Sequence, residues 1–172
     1  PSFYELFGDR GGVVGNTGLK PERGLIWDAG FRARLEGEAA VLEGAYFDHC
    51  YTDLIQFVQF SQGVARAQNI GKARVRGVEA TLSGRLFGRW AVSTNYTYQR
   101  AVDASRAPHR RGKLLPNRPQ YEVHAHTGLS LGLWRGFYDY TFEDGNFLDR
   151  ANLRPVPARH IQNIGLGRTF YR

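Results

Sequence analysis

Hydrophobic and polar residues alternate along most of this 172-residue chain. Across residues 25–35, apolar side chains occupy every second position and alternate with a set that includes Asp28, Arg32 and Arg34. A period of two places the two sets on opposite faces of a β-strand. The same pattern, weakest in the last segment, predicts six further strands over residues 39–51, 72–84, 89–100, 119–131, 133–142 and 159–171.

The connections between these predicted strands alternate in length. Tight turns are predicted at 36–38, 85–88 and 132, and long polar loops at 52–71, 101–118 and 143–157. Within the first long loop, residues 54–60 are expected to extend the preceding hairpin beyond the main sheet. Residues 1–24 are predicted as loop, because six glycines break any periodicity and Pro21 has no N–H for pairing. The expected fold is therefore all-β, an antiparallel up-and-down meander.

Strand length and the placement of aromatic residues favour a membrane β-barrel. No run approaches the roughly 18 apolar residues of a membrane helix, whereas tilted strands of about 9–11 residues span a bilayer. Aromatic residues fall at two levels of the apolar face, as in the girdles at both membrane interfaces. Trp90 and Trp134 lie beside the tight turns, and Trp27, Tyr98, Tyr121 and Tyr140 lie at the long-loop ends.

The opposite face carries charged groups that a compact soluble core could not hold without partners. They suit a wide lumen, filled with water or with a plug. The alternative is a soluble β-sandwich, whose outer faces are also polar. Its strands are shorter, and the alternation of turn lengths would then be accidental.

The charge balance narrows the choice of partners. The formal net charge is +7, which suits nucleic acid, anionic lipid or an anionic ligand. The densest basic group, residues 106–113, lies in a predicted loop without interleaved aromatic residues, so a stacking platform for nucleic acid is not expected. Cys50 is the only cysteine and therefore cannot form an intrachain disulfide.

Two groups of residues are candidates for ligand binding in the long loops. Tyr51, Phe57 and Phe60 could stack on an aromatic ligand, or could equally cap the barrel rim. The basic loop offers Arg106, His109, Arg110 and Arg111, beside Lys113. These side chains could attract an anionic ligand or contact the phosphates of an anionic lipid. The alternative is a solvated loop.

One strand carries a possible metal-binding pattern. Glu122, His124 and His126 follow a period of two and so project from one face, where they could ligate zinc or copper. The alternative is an ordinary polar lumen face. His49 and Cys50 are adjacent and point to opposite faces, which argues against joint ligation. No nucleophile–base pair, phosphate loop or catalytic carboxylate pair is apparent, so we expect neither an enzyme nor a cofactor.

Ordered motifs resemble the barrel of TonB-dependent outer-membrane receptors. The sequence PSFYELFG over residues 1–8 precedes Gly15-Asn16 and LKPE over 19–22, with Thr17 where the family usually has proline. Three further matches follow in order: Tyr46-Phe47 with Asp53-Leu54-Ile55, NIGKA over 69–73 with Gly77-Val78-Glu79, and LPNRP over 115–119.

The resemblance implies a 22-stranded transmembrane β-barrel with an N-terminal plug domain, the size class of plugged outer-membrane transporters. Residues 1–172 would be a fragment holding about seven late strands, with long extracellular loops and short periplasmic turns. The plug, the TonB-contacting segment and the closing strand would lie outside it. As an isolated piece, an open sheet with two unpaired edges should aggregate in water.

The implied function is nutrient uptake across the outer membrane of a Gram-negative bacterium, driven by the TonB complex through the plug. The first choice of ligand is a ferric siderophore, with cobalamin or another scarce nutrient as the alternative within the family. Outer-membrane lipid and lipopolysaccharide are the other expected partners. A passive porin-like barrel and a soluble carbohydrate-binding β domain are the alternatives outside it.

Overall fold

The computed structural model describes residues 1–35, 40–61, 64–69, 71–105 and 107–170, without the side chains of 59–61. These residues form one short helix and strands of widely different length. The elements are α1 Phe3–Phe7, β1 Val13–Val14, β2 Arg23–Leu35, β3 Ala40–Thr52, β4 Ile55–Ser61, β5 Val64–Asn69, β6 Lys72–Leu86, β7 Trp90–Asp103, β8 Tyr121–Leu131, β9 Trp134–Asp144, β10 Asn146–Phe147, β11 Pro155–Val156 and β12 Arg159–Arg168.

A seven-stranded sheet dominates the structure, in the order β2-β3-β6-β7-β8-β9-β12. Every neighbouring pair in it is antiparallel, and the pairing registers run without a shift. The seven strands are those expected from the alternation, so the predicted meander is confirmed. Because β2 and β12 remain edges, the sheet does not close into a barrel within this chain.

Several strand ends differ from the sequence prediction; for example, β2 begins at Arg23, and β6 runs to Leu86, inside the turn expected at 85–88. β7 runs to Asp103, which pairs with Ala73 of β6, so the ladder continues into the predicted loop. β12 ends at Arg168 instead of residue 171. The expected turn at 36–38 lies outside the described residues, and the pairing of β2 with β3 extends to Leu35 opposite Ala40.

The β3–β6 hairpin continues beyond the main sheet, as expected for residues 54–60. β4 pairs with β5, and β1 joins them in parallel to make a separate three-stranded sheet. The two sheets are separated at Asp53 and Gly71, whose φ angles are 59° and 104°. These left-handed residues break the ladder and redirect the hairpin.

The first 24 residues are not entirely loop, because α1 lies within them. Ser2 and Glu5 form a capping box, in which the Glu5 N–H donates to Ser2 Oγ at 3.3 Å and the Ser2 N–H donates to Glu5 Oε2 at 2.5 Å. The hydrogen bond from the Ser2 N–H is the main cause of the lowered pKa of Glu5. The helix was missed because it is five residues long and shows no helical periodicity.

The main sheet has an apolar face and a polar face. We define the apolar face by Leu25, Trp27 and Phe31 with their partners at every second position, and the polar face by the residues between them. Leu25 is 71% exposed and Phe31 60%. Within the described residues, the buried hydrophobic side chains are Phe47, Ala67, Ala73 and Ala101. The apolar face is therefore an uncovered surface, the arrangement of a barrel wall that contacts lipid.

Aromatic residues occupy both rims of the apolar face. Trp27 packs against Tyr46 at 5.4 Å between ring centroids, and Tyr98 packs against Tyr121 at 5.2 Å. These pairs lie near the rim that carries the long connections, hereafter the long-loop rim. Trp90 begins β7 at the opposite, short-turn rim, and donates from its indole N–H to Thr127. None of the described helices is long and apolar enough to cross a membrane.

Candidate ligand-binding site

A pocket of about 870 Å³ opens on the polar face at the long-loop rim. Strands β2, β3, β6 and β7 form its floor, and the segments around Leu54 and Leu115 form its sides. Its size falls within the range of small-molecule sites. Its lining residues are Glu22, Asp28, Ala45, Phe47, His49, Tyr51, Leu54, Ile55, Gln56, Ala73, Val75, Glu79, Gln99, Leu115, Pro116 and Arg118.

Three rings of β3 form one wall of the pocket. Phe47, His49 and Tyr51 alternate along the strand, so all three project into the pocket. The ring centroids of Phe47 and His49 are 5.1 Å apart, and those of His49 and Tyr51 are 6.2 Å apart in an edge-on arrangement. The Tyr51 hydroxyl and His49 Nδ1 are 3.5 Å apart. This ladder offers flat apolar surface with polar edges.

The charged groups of the pocket are mostly carboxylates. Glu22, Asp28 and Glu79 line it, together with the guanidinium of Arg118. Glu22 Oε1 accepts the Ile55 N–H at 2.6 Å, which ties the start of β2 to the start of β4. One carboxylate is therefore used partly for structure, and the others are available to ligand donors.

Tyr51 is the ligand candidate from the sequence that lines the pocket. Phe57 instead packs its ring against Tyr4 of α1, at 5.9 Å between centroids, and remains 42% exposed. Phe60 lies in β4, and its side chain is outside the described residues, as is the whole of Arg106. Their proposed ligand contacts stay predictions.

The described residues of the basic loop do not line the pocket. His109 and Arg111 are exposed on a series of turns, and none of His109, Arg110 and Arg111 belongs to the pocket lining. The sequence analysis missed Arg150, which donates to Gln56 at the pocket edge. Burial lowers the pKa of Arg150, and the nearby charge of Arg110 lowers it further. Arg150 therefore lies at the pocket edge, and Arg110 is near enough for its charge to act on Arg150.

The suggested metal-binding residues form a row on the polar face, but each contacts a different neighbour. Gln99 donates to Glu122 at 3.1 Å. His124 Nδ1 lies 3.2 Å from the Thr141 hydroxyl, and His126 Nδ1 lies 2.5 Å from Asp139 Oδ1. In the described part of the chain, no group of three or more His, Cys, Asp or Glu is arranged to hold a metal ion. The row acts as a cross-strand polar ladder.

A carboxylate organises the long connection between β9 and β12. Asp149 accepts backbone N–H groups of Ala151 at 3.0 Å, Leu153 at 3.1 Å and Arg154 at 2.7 Å. Asn152 joins this loop to Leu114 through two hydrogen bonds, at 2.7 and 2.9 Å. Burial raises the pKa of Asp149, but the hydrogen bonds from Arg154, Leu153 and Ala151 together outweigh burial, so its pKa is lowered.

We expect this loop to loosen in acid because of Asp149. Since its pKa in the folded protein is below the unfolded value of about 3.9, its stabilising effect is complete above that value and is lost as pH falls through the folded pKa. Hydrogen exchange at the Leu153 and Arg154 amides should accelerate below about pH 4, after correction for intrinsic rates. The Asp149→Asn variant should lack this transition, and an identical transition in the variant would contradict the assignment.

The geometry defines a class of protein, the wall of an antiparallel β-barrel with a ligand-sized pocket at the rim that bears its long loops. Residues 1–171 match the family model described as TonB dependent receptor-like, beta-barrel. The chain therefore belongs to the TonB-dependent receptor β-barrel family, as the motifs of the opening loop and of β6 predicted.

Solved structures share the fold of this chain. The copper transporter OprC superposes over 100% of this chain and 27% of its own, with a TM-score of 0.76 and 18% identity. The ferric citrate transporter FecA, in its unliganded form, covers 88% of this chain and 24% of its own (TM-score 0.74, 19% identity). The ferric yersiniabactin uptake receptor FyuA of Yersinia pestis superposes over 86% of this chain and 22% of its own (TM-score 0.71, 18% identity). The chain thus spans about a quarter of the length of these proteins.

Proposed function

We propose that this chain is part of the barrel wall of an outer-membrane receptor that takes up a ferric siderophore by TonB-dependent active transport. The observation that carries the proposal is the ring-lined pocket at the long-loop rim of a chain in this receptor family. The long loops would face the cell exterior and the short turns the periplasm. A plug domain elsewhere in the receptor would couple ligand release to TonB.

The pocket suits the capture of a bulky organic chelate better than a bare ion. The rings of Phe47, His49 and Tyr51 supply stacking surface, and the carboxylates and Gln99 supply hydrogen-bond acceptors and donors. Arg150 contacts Gln56 at the pocket edge, where its charge would attract an anionic chelate during its approach. Two of the similar solved structures are described as ferric-chelate proteins, for citrate and for yersiniabactin.

Growth of a deletion strain tests the proposal. A strain lacking the complete receptor, starved of iron, should lose growth on one ferric siderophore and regain it with the restored gene. Cobalamin and ferric citrate are supplied in parallel arms. Normal growth of the deletion strain on every ferric source would overturn the siderophore proposal, and loss on cobalamin alone would favour the alternative ligand.

Replacing Tyr51 with alanine is expected to weaken ligand binding by roughly 3–10-fold, the value of one aromatic contact. Dissociation constants of the purified complete receptor would be measured by quenching of tryptophan fluorescence. Tyr96→Ala is the matched control, because Tyr96 is 38% exposed on the apolar face of β7. Equal affinities for the Tyr51 and Tyr96 variants would remove Tyr51 from the site.

A further inference from the structure

Three arginines occur on the apolar face close to the long-loop rim, and the positions next to them toward the short turns are aliphatic or aromatic. Arg76 of β6 is paired directly with Asp48 of β3 on one side and with Arg100 of β7 on the other. Arg74 lies one row closer to the rim. Four charged side chains, three of them positive, are thereby gathered on three adjacent strands.

The single carboxylate of this group is already engaged. Arg74 donates from Nε to Asp48 Oδ1 at 2.8 Å and from Nη2 to Asp48 Oδ2, a two-pronged contact. Asp48 is only 5% exposed. Arg76 and Arg100 make no hydrogen bond or ion pair with any described residue, and both are exposed. Like charges directly opposite each other are unfavourable in a sheet. Asp48 attracts both Arg74 and Arg76, so one negative charge stands against three positive charges in this group.

The surroundings of Arg76 and Arg100 change sharply along the strands. The next row toward the short turns contains Tyr46, Val78 and Tyr98. These side chains and the two arginines line a shallow depression of about 530 Å³. Beyond it, Leu82 is 43% exposed on the same face. From the long-loop rim toward the short turns, the surface is thus first charged, then lined by tyrosine, then aliphatic. Protein surfaces change in the same order from the lipid headgroups, through the interface, to the acyl chains.

We propose that Arg76 and Arg100, with Arg74 beside them, bind a phosphate group of lipopolysaccharide in the outer leaflet. This inference rests on the proposed function, because it requires the long-loop rim to face the cell exterior. A guanidinium matches phosphate geometry in a bidentate manner, and Arg76 and Arg100 are direct cross-strand neighbours, so both can donate to one phosphate group. The tyrosines and Val78 lie where the first carbons of the acyl chains would begin. The site is separate from the basic loop, which carries its charge among the long connections.

Lipid retention by the complete receptor tests this site. The receptor would be purified in detergent and incubated with lipopolysaccharide that carries both lipid A phosphates, and bound lipid would be counted by native mass spectrometry. Arg76→Gln combined with Arg100→Gln should weaken retention by roughly tenfold or more. The matched control is Arg168→Gln, since Arg168 lies on the same face at the short-turn rim, over the ring of Trp134.

Two further comparisons change either the lipid or the two side chains. Dephosphorylated lipopolysaccharide should bind the unaltered receptor as weakly as the double glutamine variant binds the phosphorylated form. Arg76→Lys with Arg100→Lys should retain intermediate binding, since charge remains but the paired donors are lost. Equal retention by the unaltered and double glutamine receptors would overturn the proposal. So would equal binding of the dephosphorylated lipid, or binding of phosphatidylglycerol vesicles as strong as that of lipopolysaccharide.

The outcome is separable from that of nutrient uptake. A receptor that supports growth on a ferric source, but whose lipid binding ignores Arg76 and Arg100, would refute this site and leave the transport proposal intact. A receptor that holds phosphorylated lipopolysaccharide through these arginines, but supports growth on no tested nutrient, would support this site and contradict the transport proposal. The resistance of the folded barrel to unfolding in a gel shows whether each variant is folded.

Discussion

Gly77→Val is expected to destabilise the barrel wall by about 3 kcal/mol, near the upper end for overpacked sites. Gly77 lies in β6, paired with Phe47 on one side and Gln99 on the other. A Cβ atom there would lie 2.1 Å from the Tyr98 carbonyl oxygen and 2.7 Å from Phe47 Cζ. The carbonyl belongs to the backbone of β7, so it cannot move aside without disturbing the β6–β7 ladder.

Gly128→Val is the matched control for this substitution. Gly128 also lies within a central strand and on the polar face, but a Cβ there would be 3.5 Å from His126 Nε2 and 3.9 Å from the Gly136 oxygen. The unfolding temperature of the complete receptor, read from the shift between folded and unfolded bands on a gel, should fall for Gly77→Val and change little for Gly128→Val. Similar shifts for both would show that the close approach to Tyr98 does not limit packing.

The meander itself could be predicted because its determinants are local. A period of two assigns each residue to a face, and a turn as short as Gly132-Leu133 leaves antiparallel pairing as the simplest link. The same count of alternate positions predicted where the aromatic residues lie, and Trp27 and Tyr98 are on the expected face. Strand ends were less accurate, since β7 continues to Asp103 through pairing with β6, which local pattern does not reveal.

The pocket could be predicted only in part because distant segments build it. Tyr51 was singled out from its position at the end of β3, but His49 was considered only as a metal ligand beside Cys50. Arg150 reaches Gln56 across 94 positions of sequence, and no motif marks it. Phe57 was grouped with Tyr51 by proximity along the chain, whereas its ring is held by Tyr4 from the opening helix.

The cluster of Arg74, Arg76 and Arg100 shows what strand register adds to sequence pattern. Arg74 and Arg76 break the apolar alternation of β6, and Arg100 breaks that of β7, which alone carries little information. Register places Arg76 opposite Arg100, and the nearest carboxylate, that of Asp48, accepts hydrogen bonds from Arg74. The combination of three guanidiniums, a single carboxylate and adjacent tyrosines is what indicates an external phosphate.

Asn69→Ala is expected to loosen the long-loop rim and to weaken ligand binding by roughly tenfold, which corresponds to about 1.4 kcal/mol. The Asn69 side chain accepts the Lys20 N–H at 2.9 Å and donates to the carbonyl oxygens of Lys20 at 3.0 Å and Asp53 at 2.5 Å. Alanine leaves three backbone groups without these partners, at a cost of about 1–3 kcal/mol for each one that stays shielded from water. Glu22 and Leu54, which follow Lys20 and Asp53, line the pocket.

Asn69 thus gives a physical reason for two motifs of the family resemblance, since it joins the LKPE segment to the NIGKA segment. The Asn69→Ala receptor should show faster hydrogen exchange at the Lys20 amide together with the weaker binding. Asn69→Asp should preserve the acceptor for the Lys20 N–H but lose both donated bonds. Its ligand affinity and its exchange rate at Lys20 should therefore lie between those of the unaltered receptor and the Asn69→Ala receptor. Asn95→Ala is the control, because Asn95 lies on the polar face away from this rim and accepts one hydrogen bond, from Thr81 at 3.0 Å. If Asn69→Ala accelerates exchange at Lys20 without changing the dissociation constant, the junction stabilises the rim without shaping the ligand site.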